Sequence, residues 1–495
     1  MSQSCDLIDV SPPQLRCLTE GRRTSYPHQI ATHSYGKLAN VWKTNKRFAF
    51  GFQIALAIAS FAQADEFNDL ASSNWPQWRG PQSNGVAINA DPPLTWSESE
   101  NLTWKTRIDG LGHGTPIVWE DRIFLQTAIP IEKDLAVPDV IPPGTPNVEL
   151  SPGESLSTWK PQQFAVLCID RRTGSELWRR IVHEAMPHQG HHLKGSFASQ
   201  SALTDGTHVF ACFGSFGLYC LDFDGNITWQ HSPQAQVMEA GLGEGGSPAL
   251  FGDTLVVVVD HELQSFVVAF DKSTGKEKWR QNRNEVSNWS TPRIFTHDGI
   301  DQVVVNGETV RCYTLASGEL LWECAGQSLS AVPMPAIGHG LAFATTGWRR
   351  DTLHAIRLGR RGDLTDSDSI AWKLNRGTPY VPSPMLWGNE IYLLEDKNFF
   401  SCLRAKDGKQ HYLKSRIPRL LHFSASPVGA KDRIYLLSEE GVTVVVQRGP
   451  QFKVLAMNEL HEKFMASPAI IGDSVILRGN RHLYCFSRPK PPPAH

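Results

Sequence analysis

Four histidines within ten residues, His183, His188, His191 and His192, and the contiguous triplet Asp260-His261-Glu262 are the stretches of this chain whose side chains could do chemistry most directly. Converging imidazoles bind zinc, and Asp, His and Glu together contain the types of a proton relay. Neither spacing carries that chemistry through. The histidines match no closed zinc pattern and fall between two repeats, which predicts a solvated loop. The triplet interrupts two apolar runs, Leu255–Val259 and Ser265–Phe270, which predicts a polar hairpin. No catalytic residue and no metal ligand is assigned.

A different set of residues recurs at one place in a repeat. His113, Glu244, Asn288, Trp289, Tyr380 and Phe423 each stand a few positions ahead of a proline that opens a short apolar run. If those runs surround an axis, the six are funnel-lining candidates: aromatics with a few polar groups, the composition of a ligand or peptide site. Plugging of the axis by the same aromatics is the plainer alternative.

The repeat that would position them is explicit. Prolines 116, 248, 292, 335, 384, 427 and 468, most of them after a small residue, are each followed by an apolar pair and a Gly, Asp or Asn turn, with Ala202 in the proline's place once. From Ala202 onward the rungs lie 41 to 49 residues apart. A second ladder of closing aromatics runs through Trp104, Trp178, Trp229, Trp279, Trp322, Trp372 and Tyr412. The Asp-x3-Gly-x3-Trp spacing at Asp170/Gly174/Trp178 and Asp271/Gly275/Trp279 gives the reason: Asp caps a turn, Gly takes a positive φ, and Trp fills the gap between sheets. Periods in the forties with four short strands per unit mean a propeller. The prediction is all-β: an eight-bladed β-propeller with tryptophan-docking repeats, its ring closed by the N-terminal strand around Trp104.

Two insertions break the period. Ala128 to Gln163 holds seven prolines and predicts an extended loop on the first blade, and Arg349 to Ile370 enlarges the fifth. Trp75-Pro-Gln-Trp78-Arg-Gly-Pro81 predicts a terminal segment docked onto the domain. Lys43, Lys46 and Arg47, the apolar run Phe48–Phe61 and Ala62-Gln-Ala64 read as a signal sequence, so residues 1–64 are an N-terminal extension plus signal peptide. The odd length ahead of that segment predicts true initiation near Val41. The propeller then spans 65–488, with a Pro-rich tail at 489–495, and the protein is exported, to the periplasm or cell envelope. A formal net charge of −2 gives no electrostatic footprint for nucleic acid. Five cysteines (Cys168, Cys220, Cys312, Cys402 and Cys485) share one repeat position, which predicts small buried strand residues and not redox chemistry.

The repeats Val257–Trp279 and Cys168–Trp178, with Trp75–Pro81 and Phe423-Ser-Ala-Ser-Pro427, resemble those of pyrroloquinoline-quinone (PQQ) propellers. The resemblance runs from about Trp75 to Arg488. Proteins of this kind include quinoprotein alcohol dehydrogenases and a scaffold subunit of the outer-membrane protein assembly machinery. The dehydrogenases carry a vicinal cysteine pair beside the cofactor, and no two cysteines here are adjacent; a Cys-x-x-Cys-His haem motif is missing as well. The resemblance therefore implies a non-catalytic binding or scaffold propeller needing no cofactor. Its partner is a protein or a small molecule in the funnel, and it associates peripherally with an envelope complex. The alternative is a PQQ- and calcium-dependent alcohol or sugar dehydrogenase.

Overall fold

A computed structural model of the chain describes residues 70–136 and 160–488. The expectations for the signal sequence, the start site and the tail fall outside the described residues, as does the middle of the first insertion. No helix among the described residues is long and apolar enough to cross a membrane.

The strands form eight sheets, each led by one rung of the proline ladder. Blade 3 shows the pattern: Ala249–Phe251, Thr254–Val259, Phe266–Asp271 and Glu277–Asn282 form an antiparallel meander. Its second and third strands are almost wholly buried, because a neighbouring sheet covers each face. The eighth sheet takes His482–Ser487 as its third strand and the N-terminal Leu102–Arg107 as its fourth, with Trp104 opposite Cys485.

The small residue before each proline has a definite task. The Ser201 hydroxyl accepts from Thr115 N–H, Ser247 from Ser201 and Thr291 from Ser247 (2.9–3.0 Å). On the other half of the ring, Met334, Ser383 and Ser426 N–H donate to Ser383, Ser426 and Ser467 (2.9 Å each). Blade is thus stitched to blade around the axis; the series breaks at Met334, which has no hydroxyl to offer Thr291, and between blades 8 and 1 the Thr115 hydroxyl donates instead to the Ser467 carbonyl (3.1 Å).

Outside that ring the tryptophans dock. Trp104, Trp178, Trp229, Trp279 and Trp372 donate their indole N–H to Arg171, Phe223, Lys272, Leu315 and Ala405 carbonyls of the next blade (2.7–2.9 Å). Each lies on a turn glycine of that blade; at Gly275 (φ 67°) a Cβ would stand 2.5 Å from the Trp229 ring. On their own blades, Trp104, Trp178, Trp229, Trp322 and Tyr412 pair with Cys485, Cys168, Cys220, Cys312 and Cys402, so the shared cysteine position is the residue behind the docking aromatic. All five thiols are buried and free, and burial pushes those of Cys168, Cys220 and Cys402 up to about 12.

The first insertion differs from expectation: it is not loop from Ala128, because the hairpin Arg122–Pro130 and Gln162–Asp170 stays paired out to Pro130 and Gln162. Arg349–Ile370 does enlarge blade 5: Thr352–Arg357 is its third strand, and the added length lies after it. There Gly362–Asp363 runs parallel to the outer strand of blade 4, replacing the usual glycine turn. Trp322, the aromatic that would dock on that turn, is buried with no hydrogen bond to its indole nitrogen.

Candidate functional site

By the up-and-down path of each blade, the connections entering the inner strands share one face with the loops between second and third strands. Blade 2 contributes a loop there with the short 3-10 turn Gly214–Phe216. Its backbone needs glycine: Gly214 and Gly217 have φ of 56° and 124°, and a Cβ at Gly214 would lie 1.4 Å from Glu244 Oε2. Into that space comes the Glu244 carboxyl. Oε1 accepts from Ser215 Oγ (2.5 Å), and Oε2 accepts from Ser215 N (2.8 Å) and Gln236 Nε2 (3.0 Å). Burial outweighs these donors and pushes the carboxyl up to about 7.

The network continues outward. Gln236 N donates to Ser215 Oγ (2.7 Å), and its carbonyl meets His188 Nε2 (2.7 Å). Glu244 and His188 line an open pocket together with Phe197, Phe213, Phe216 and Met238. The histidine stretch is therefore not a solvated loop. His188 is buried, its pKa lowered by that burial, and His191 stands edge-on to Phe197 at 4.7 Å. The aromatic cluster Phe164, Phe213 and Phe216 folds the connection down, a packing that histidine spacing alone does not encode. Among the described residues, no three His, Cys, Asp or Glu side chains are placed to hold a metal ion.

The Asp260-His261-Glu262 triplet does join two strands as a hairpin, but its first two residues are buried instead of solvated. Asp260 takes a bidentate bond from Arg283 (2.8 and 3.1 Å), with both side chains wholly enclosed. His261 Nδ1 accepts from Val237 N (3.1 Å), and Glu262 accepts from Ser287 N (3.0 Å) and Oγ (2.7 Å). The triplet clamps the two connections that flank blade 3, and each of its three side chains is engaged by a structural partner.

The six funnel candidates separate in the same way. Glu244 and Trp289 come together: the Trp289 indole donates to Gly243 O (2.6 Å) and its ring packs on Gly245. His113 lies against Arg478 and His191, with both ring nitrogens buried and no hydrogen bond; Asn480 and the Lys194 backbone approach without reaching bonding geometry. Burial first, then the charges of Arg478 and His191, lowers its pKa to about 3. Tyr380 stacks on Trp348 (5.2 Å, 27° between planes). Asn288 is spent on Asn306 O (2.7 Å) and Ser290 N (2.9 Å). Phe423 is wholly buried in the core of blades 6 and 7 with Tyr392 and Phe400. Sequence reasoning passed over Phe213, Ser215 and Phe216; the signal was a Phe-Gly-Ser-Phe-Gly loop between two strands of a small-residue-rich blade.

Fold and repeats together define the class: an eight-bladed β-propeller with PQQ-like, tryptophan-docking repeats. The sequence profile of the family described as outer membrane protein assembly factor BamB matches residues 162–323, the third strand of blade 1 through blade 4. The BamB of Burkholderia pseudomallei is 29% identical over 160 residues, which cover 31% of this chain and 36% of that protein. The chain thus matches about a third of the curated relative's length. Among solved structures, quinohemoprotein alcohol dehydrogenase from Comamonas testosteroni superposes with a TM-score of 0.56 at 10% identity, covering 87% of this chain and 83% of that one. BamB from Moraxella catarrhalis gives 0.47 at 11% identity, covering 75% and 99%. The likeness to the dehydrogenase speaks to fold alone.

Proposed function

We propose that this protein is an exported binding scaffold that holds a protein partner of the cell envelope against its funnel face. One observation carries the reading. Glu244, Asn288 and Trp289 at the funnel mouth are engaged by bonds within the protein and the ring nitrogens of His113 are enclosed, whereas Leu193, Trp348 and Leu420 on the same face are 55, 42 and 71% exposed. Trp348 is held flat on Tyr380, a rigid aromatic of the kind that anchors protein interfaces. The BamB match over blades 1–4 supports the same class of role, and the segment 43–64 supplies the route of export.

The residues present do not fit a quinone–calcium site. Calcium wants six to eight oxygen ligands, whereas the carboxylates at the funnel mouth are already engaged, Glu244 by Ser215 and Gln236 and Glu439 by Ser424 and Lys194. The adjacent cysteine pair of the dehydrogenases has no counterpart in this chain. Calorimetric titration of the purified protein with PQQ and Ca2+, followed by a dye-linked alcohol oxidation assay, tests the reading. The expected result is neither binding nor turnover; calcium-dependent tight binding with turnover would overturn it.

A further inference from the structure

At the opposite end of the axis the N-terminal segment crosses the channel. Trp75, fully buried, bridges to Val118 of blade 1, and Val86–Ala87 runs parallel to the inner strand of blade 7. Farther on, Asp91 binds Lys431, Arg433 and Arg488 and fixes the segment there. Between these anchors the turn at Arg79 (φ 68°) carries a guanidinium onto the axis, 2% exposed. Its Nη1 donates to Pro427 O (3.1 Å), and its Nη2 to Pro384 O (2.8 Å) and Asn84 O (3.1 Å). All three acceptors are neutral carbonyls.

Arg293, the first residue of the inner strand of blade 4, lines the same narrow pocket as Arg79. Asn84, Met334, Pro384 and Leu386 complete the walls, and no carboxylate faces the space. Arg293 has no hydrogen-bond or ion-pair partner among the described residues, and its Nε is buried. Burial depresses both guanidiniums, Arg293 to about 10 and Arg79, with the charge of Arg293 added, to about 9. Both still carry a full charge at neutral pH. An enclosed guanidinium with no counter-charge and a second, partly exposed cation beside it is costly. A planar fork of N–H donors matches tetrahedral oxyanions, whereas a halide uses one donor at a time.

We propose that this axial pocket binds a small oxyanion of the phosphate or sulfate type, bridged between Arg79 and Arg293. The site is independent of the partner face described above. It neutralises the floor of the channel and locks the N-terminal segment to blades 4 and 6.

The test is a titration of the whole protein with inorganic phosphate and with sulfate at constant ionic strength. The buffer's only other anion is chloride, and heat of binding and thermal midpoint are read together. Arg293→Met is the informative variant, because Arg79 also holds three carbonyls. The wild type should bind either oxyanion saturably, with a midpoint rise beyond that of chloride. Arg293→Met should bind roughly tenfold or more weakly, and in chloride alone should unfold no lower than the wild type, having lost an uncompensated charge. Arg293→Lys, which keeps the charge without the fork, should bind in between and remains readable if the methionine variant misfolds. No oxyanion effect beyond chloride, or an equal effect in wild type and Arg293→Met, would overturn the proposal.

Discussion

The Glu244 carboxyl makes the stability of this propeller depend on pH in a direction opposite to that of its hydrogen-bonded turn carboxylates such as Asp170 and Asp271. Its pKa is about 7 folded against 4.5 as a free side chain, so the folded state binds the proton more tightly. Its contribution is then complete below pH 4.5 and is lost as pH rises through 7. A difference of about 2.5 pKa units corresponds to about 3 kcal/mol at most, and solvent at the open side of the pocket brings this to about 1–2 kcal/mol. Glu244→Gln is the perturbation that isolates it. An amide placed as the protonated acid is can donate to Ser215 Oγ and accept from Ser215 N and Gln236 Nε2, so the present contacts are kept. Urea midpoints of wild type and variant between pH 5 and 8.5 give the difference free of other titrating groups. The variant should gain on the wild type by about 1–2 kcal/mol across the window. Parallel curves would refute the reasoning, since they would mean that the carboxyl is ionised throughout.

Two further substitutions probe the frame. Gly275→Ala puts a Cβ 2.5 Å from the Trp229 ring at φ 67°, and should cost about 2–4 kcal/mol. Gly299→Ala, at φ 74° with nothing near, should cost about 1 kcal/mol; chemical denaturation of both variants separates contact from backbone strain. Arg283→Met leaves Asp260 enclosed and unpaired and should destabilise by about 3–5 kcal/mol, most of it regained in the Asp260→Leu/Arg283→Met double variant by the same assay.

Most of the frame was legible because it repeats. Proline with its preceding Ser or Thr, the glycine turn and the closing tryptophan each recur eight or nearly eight times, and each has one physical task that the structure repeats in step. What did not repeat was not legible. The Phe213–Gly217 loop exists in one blade only, so no period pointed to it, and its role comes from packing against the histidine connection. Candidates taken from the entry segments were judged by sequence position, which does not say whether a side chain faces the funnel or the sheet behind it. Phe423 turned into the core, and Asn288 turned onto the Asn306 carbonyl and the Ser290 N–H. Arg79 was read only as part of a docked segment, because its partners lie more than three hundred residues away.

Site-specific photo-crosslinking in the producing cell tests the central claim most directly, with the photoreactive residue at Trp348 on the funnel face and at Phe251 on the opposite face. Both positions are exposed, so folding is not at issue in comparing them. A defined envelope protein crosslinked from position 348 and not from 251 is the result the scaffold account predicts. Crosslinking from neither position, or equally from both, would contradict it.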